Sequence, residues 1–147
     1  MGLEYYRDLL RGAVSDMACR SGGFNDRLLV AWSGYIYKFN WTELEAMLMK
    51  DDMQSFRDLK KRLDEDLHSD IENARQKLRD KSEEMGIPPW TEFQLGTHAN
   101  AETVIRRWHP KKAKKAVEAI TDLHNAVVLS LDSQRVFPSK NTDQGSS

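Results

Sequence analysis

Six cations fall within ten residues of this chain: Arg106, Arg107, Lys111, Lys112, Lys114 and Lys115, with His109 among them. The whole chain has a net charge of −1, so the cluster is a strong local field on a nearly neutral background. Pro110 suits the first turn of a helix, which places the lysines at that helix's positive end. Cations there are disfavoured by roughly 0.3–1 kcal/mol each at low salt. An anion docked on that end would gain from the lysines, the dipole and the free backbone N–H groups together. The phosphates of a nucleic acid are the obvious anion. Arg106, Arg107, Lys111, Lys112, Lys114 and Lys115 are therefore the expected nucleic-acid contacts. His109 and Pro110 alone separate this helix from the one before it, too short a link for a helix-turn-helix. The expected contact is with the backbone, without sequence preference. The rival occupant is an acidic patch on another subunit, of the kind that Asp64, Glu65 and Asp66 would make.

Arg62 and His68 are a second pair with chemical potential. Their spacing resembles the Arg-x4–6-His motif of the HEPN family of helical ribonucleases. The resemblance covers that stretch alone, and it implies a dimer whose interface acts on the RNA backbone. Leu63 follows the arginine, where the family usually has a polar residue. Glu65 and His68 also match one arm of a di-iron bundle site. The second arm is missing, because His124 has Thr121 three residues before it, so no metal is expected. His98 and His109 lack partners at zinc spacing. Cys19 has no base beside it and is expected as a small buried apolar side chain; one cysteine also excludes an internal disulfide. No phosphate-binding glycine loop, dinucleotide fingerprint or nucleophile elbow occurs. No cofactor and no small-molecule substrate are expected.

Helices must position these groups. Leu3, Tyr6, Leu10, Ala13, Val14 and Met17 mark one face of a helix from Leu3 to about Ala18. Ser21-Gly22-Gly23 ends it, with a glycine free to turn left-handed. Asn25 or Asp26 can cap a second helix carrying Leu28, Leu29, Trp32, Tyr35, Ile36 and Phe39. Tyr35, Tyr37, Phe39 and Trp41 alternate as in a strand, but the helical spacing covers the whole segment. Asn40 with Glu43 is a capping-box-like start. From there to Met85 no Pro or Gly intervenes, and Phe56, Leu59, Leu63, Leu67, Ile71, Ala74 and Leu78 form a seam. Phe56, Leu67 and Leu78 are eleven apart, a period that implies a straight or slightly right-handed helix. Asp51 and Asp52 suit a first turn, which leaves a break near Lys50 open.

Residues 52–85 would make ~51 Å of helix, against a diameter of ~38 Å for a compact chain of this length. Either the end projects into solvent or another copy or a partner covers the seam. Phe56, Leu63, Leu67, Ile71 and Leu78 are the expected interface of a homo-oligomer or protein complex, with Trp32 to Trp41 as a further contact surface. Gly86 and Pro88-Pro89 stop the long helix, and Ile87 to Ala99 reads as a loop pinned to the core by Trp90, Phe93 and Leu95. Asn100 can cap a short helix bearing Val104, Ile105 and Trp108. The last helix turns Ala113, Ala116, Val117, Ile120, Leu123 and Val127 to one side. It is apolar nearly all round from Ala126 to Leu131, so that half should lie deep in the core.

The chain has 147 residues, 31% charged and 39% hydrophobic, enough for one domain with a real core. The expectation is an all-α bundle of four to six helices around one long central helix: a single domain over 1–132 and a flexible polar tail over 133–147. The longest apolar run, Leu28 to Trp32, is far too short to cross a membrane, and the N-terminus carries no targeting pattern, so a cytoplasmic protein is expected. The leading reading is a non-enzymatic subunit or accessory factor of a nucleic-acid-handling assembly. The alternatives are a protein–protein interaction module, such as an adaptor or inhibitor, and a dimeric helical ribonuclease.

Overall fold

The structure, a computed structural model, describes the backbone of residues 2–146 and the side chains of residues 2–133. Over 134–146, in the expected tail, only the backbone is described, and it continues the last helix. The fold is all-α, with no strand among the described residues. Its elements are α1 (Leu3–Cys19), α2 (Phe24–Gly34), a 3-10 turn (Ile36–Lys38), α3 (Trp41–Met47), a 3-10 turn (Lys50–Asp52), α4 (Met53–Lys60), a π turn (Lys61–Glu65), α5 (Asp66–Glu84), α6 (Glu92–His98), α7 (Ala101–Arg107) and α8 (Pro110–Ser146). No described helix is long and apolar enough to cross a membrane.

Helical backbone angles run unbroken through α4, the π turn and α5, making a spine over 53–84 that is ~48 Å long. Leu48 and Met49 are extended, so the break near Lys50 is real. The π turn has a cause in the seam. An α-helix advances ~100° per residue, so each four-residue step overshoots its face by ~40°. Leu59, Leu63, Leu67 and Ile71 make such steps in succession, ~120° of drift. The extra residue of a π turn takes most of that back, and Leu59, Leu63 and Leu67 are all buried on one side. The eleven-residue period is thus absorbed in one underwound turn instead of being spread along the helix.

The core lies where α1, α2 and α4 pack against α8. Tyr6, Phe39, Trp41 and Phe56 extend it as a chain of tilted and edge-on rings, with centroids 5.2–6.1 Å apart. Phe56, Leu63 and Leu67 belong to this core, and Leu67 is 1% exposed. For these three the chain's own helices supply the cover that an interchain seam was expected to give. Ile71 and Leu78 are half-buried beneath α6 and α7, and at the tip Met85 is 62% exposed. Leu129 is also exposed, so the C-terminal half of α8 is not enclosed on every side.

Several local expectations change. The second helix stops at Gly34, and a 3-10 turn carries Ile36 into the core, not a strand. Tyr35 lies on α1 where Gly12 leaves no side chain, and its hydroxyl donates to Asp16 at 2.7 Å. The left-handed glycine is Gly86 (φ 66°), not one of the pair after α1. There Gly86 N–H reaches Glu83 C=O and Ile87 N–H reaches Ser82 C=O, closing α5. Asn25 does not cap α2; its amide donates to Ile105 C=O and Trp108 C=O, both at 2.8 Å, tying α2 to the end of α7. Cys19 is exposed at the end of α1 rather than buried. Within the expected loop, a Thr91–Gln94 capping box starts α6.

Candidate nucleic-acid interface

The geometry of the basic segment is set by His109, the residue before α8. Its Nδ1 accepts Lys111 N–H at 3.1 Å, and its carbonyl accepts Lys112 N–H at 2.9 Å and Ala113 N–H at 3.1 Å. Pro110 has no N–H. The first-turn donors expected to meet an anion are therefore taken, and side chains alone carry the positive charge offered outward.

Asp70 of α5 knots three helices together. It accepts from Lys112 Nζ at 2.7 Å and from Trp108 Nε1 at 2.9 Å, and Lys112 Nζ sits 4.6 Å from the Trp108 ring centroid. Trp108, 8% exposed, is a core side chain whose polar edge is satisfied by this carboxylate. The knot adjoins two clefts. One, of about 390 Å³, is lined by Arg62, His109, Lys111, Lys112 and Lys115. The other, of about 380 Å³, lies between α5 and α6–α7, and its lining includes Asp70, Lys77, Lys81, His98, Arg107 and Trp108.

The fold thus redraws the linear cluster. Arg107, Lys111, Lys112 and Lys115 share this surface with Arg62, Lys77 and Lys81 of the spine, residues the sequence reading did not assign to it. Asp70 is the one carboxylate among the lining residues, and Lys112 occupies it. Arg62 is held by Asp58 at 3.0 Å. Arg106 and Lys114 leave for the other side. Arg106 pairs with Glu102 at 2.8 Å and lines a separate hollow with Arg20 and Asp26, while Lys114 lies over the Phe24 ring.

The remaining pairs do not converge. Arg62 lines the cationic cleft, but His68 is exposed, turned back on the Asp64 carboxylate at 3.3 Å, and is not in the cleft lining. No group of three His, Cys, Asp or Glu gathers among the described residues. Of the three residues expected to pin the loop before α7, Leu95 is fully buried and Trp90 half-buried, but Phe93 is 83% exposed. No protein-family model, curated protein or solved structure matches this chain. Geometry and charge alone carry the functional reading.

Proposed function

We propose that this chain is a non-enzymatic helical binding protein, a small subunit or accessory factor of an assembly that handles nucleic acid, and that it grips the phosphate backbone without sequence preference. The observation that supports this is the meeting of Arg62, Lys77 and Lys81 from the spine with Arg107, Lys111, Lys112 and Lys115 on adjoining clefts that hold one carboxylate, itself neutralised. Like charges brought together by the fold repel one another, and a polyanion relieves that repulsion. Each phosphate neutralised releases counterions, so affinity must fall steeply with salt.

The test is equilibrium binding of DNA and RNA to the purified protein across a salt series. Lys111→Glu with Lys115→Glu should abolish binding to all sequences alike while the helical circular dichroism stays unchanged. Both positions are exposed, and acids suit the first turns of a helix, so lost binding would not reflect lost folding. A double variant that binds as the wild type does would remove the lysines from the site. The second reading, a protein-interaction module, draws on the exposure of Met85, Ile87 and Phe93 near the spine's tip.

A further inference from the structure

The cleft between α5 and α6–α7 has an apolar floor as well as a charged rim. Ala74 and Leu78 line it from the spine, and Val104 and Trp108 from the other wall. Val104 and Trp108 are nearly buried, so the cleft cuts down to the core. Its two walls are tied together. Arg75 of the spine donates to Ala99 C=O at 3.1 Å, and Asp70 accepts from Trp108 Nε1 at 2.9 Å. Around the floor, Asn73, Lys77, Lys81 and Arg107 are exposed. Among the described residues, none of these four side chains has a hydrogen-bond or ion-pair partner.

Phosphate contact alone has no use for an apolar floor. The ligand that fits carries both an anion and an apolar body. About 380 Å³ is a space roughly 7 Å on a side, too narrow for a helix of ~10–12 Å and within the ~300–1,000 Å³ of small-molecule pockets. An acyl chain would offer the Asn73 amide nothing, whereas a nucleobase has a flat face for the floor and donors and acceptors along its edge. We propose that this cleft takes one unpaired nucleotide of the bound strand, its base on the floor of Ala74, Leu78 and Val104, its edge toward Asn73, and the flanking phosphates on Lys77, Lys81 and Arg107. This rests on the nucleic-acid reading above. A paired base is stacked on both faces and shows only its edges in the grooves, so it must leave the stack to lie on such a floor. An amide both donates and accepts, so it can meet the edge of any base, in keeping with a grip that has no sequence preference.

The experiment is fluorescence anisotropy with the full chain at low ionic strength. Two labelled probes are compared, an oligothymidylate of about eight nucleotides and an abasic strand with the same sugars and phosphates. The oligothymidylate should bind about fivefold or more tightly, with the same salt slope for both, because the phosphates are alike. Asn73→Ala should weaken the oligothymidylate about threefold and leave the abasic strand unchanged. Asn73 is exposed and makes no contact that the fold needs. Ala74→Phe puts a ring where the base would lie and should erase the preference for the oligothymidylate, with circular dichroism to check that it folds; if it does not, Asn73→Ala decides. Equal, salt-dependent binding of both probes, with no effect of Asn73→Ala, would overturn the nucleotide pocket and leave the backbone grip standing. A preference for the oligothymidylate that survives both substitutions would place the base elsewhere and also overturn it. Absence of salt-dependent binding to either probe would overturn the nucleic-acid reading and this inference with it.

Discussion

His124, on the core side of α8, couples this fold to pH. Desolvation lowers its pKa from the usual 6.5, the Arg11 charge acts the same way, and a hydrogen bond with Asn125 opposes them. Its Nε2 is buried with no partner among the described residues. As pH falls through 6.5 the unfolded chain takes up a proton on this ring, whereas the folded chain does so only at lower pH. In that window the unfolded state binds more protons, so stability is full above pH 6.5 and is lost as pH drops toward the folded value. Urea midpoints between about pH 7.5 and pH 5 should fall for the wild type and fall less for His124→Gln. Parallel curves would remove the ring from the balance. Other residues show how far sequence alone reaches. Asn40, Asn100 and Pro110 stand at the helix starts expected of them, because capping needs only a side chain and its next three neighbours. Thr91 and Gln94 carry the same signal, but Pro88-Pro89 before them suggested a loop, and α6 was missed. Cys19 had no local signal of its exposure, since burial depends on what packs across from a residue.

The spine shows what an element can reveal by itself. Its apolar seam, and the drift that seam accumulates, are both legible in the spacing of Leu59, Leu63, Leu67 and Ile71. That the drift is discharged at Lys61–Glu65 depends on α8 packing against α4, where Leu59 lies, and on Leu63 staying buried one turn later, which spacing does not state. A π turn is one residue in excess of an α-helical turn, so deletion there restores ordinary α geometry and keeps the flanking faces aligned. Deleting exposed Lys61 should therefore leave a folded helical protein, with Tm lowered by no more than about 5 °C. Inserting an alanine at the same point swings α5 by another ~100° and should carry Leu67 and Ile71 off the core, with loss of cooperative melting. Thermal melts of the two variants check this. A deletion as damaging as the insertion would show that the π turn is not the compensating element.

At the scale of the whole molecule, the all-α class and the long central helix follow from periodicity, and both are present. The cover over the spine does not follow from it. Length arithmetic suggested a projecting end or a second chain; the near half packs against α8, the far half is partly covered by α6 and α7, and the end does project, with Met85 and Ile87 exposed. The same folding-back remakes the charge map. A reader of the sequence sees one run from Arg106 to Lys115, because neighbours in the chain are all that a run can show. Helical rotation sends Arg106 and Lys114 to the α2 side, and the spine brings Arg62, Lys77 and Lys81 to the rest.

That redistribution is the central claim, and the salt dependence of nucleic-acid binding tests it directly. Two double variants are compared with the wild type: Lys77→Ala with Lys81→Ala, on the spine, and Arg106→Ala with Lys114→Ala, within the linear run but off the surface. Each phosphate contact removed lowers the log–log salt slope by about one unit. The spine variant should lose up to about two units of slope and bind all sequences more weakly, and the other should keep the wild-type slope. The opposite result, slope lost with Arg106 and Lys114 and kept without Lys77 and Lys81, would contradict the account.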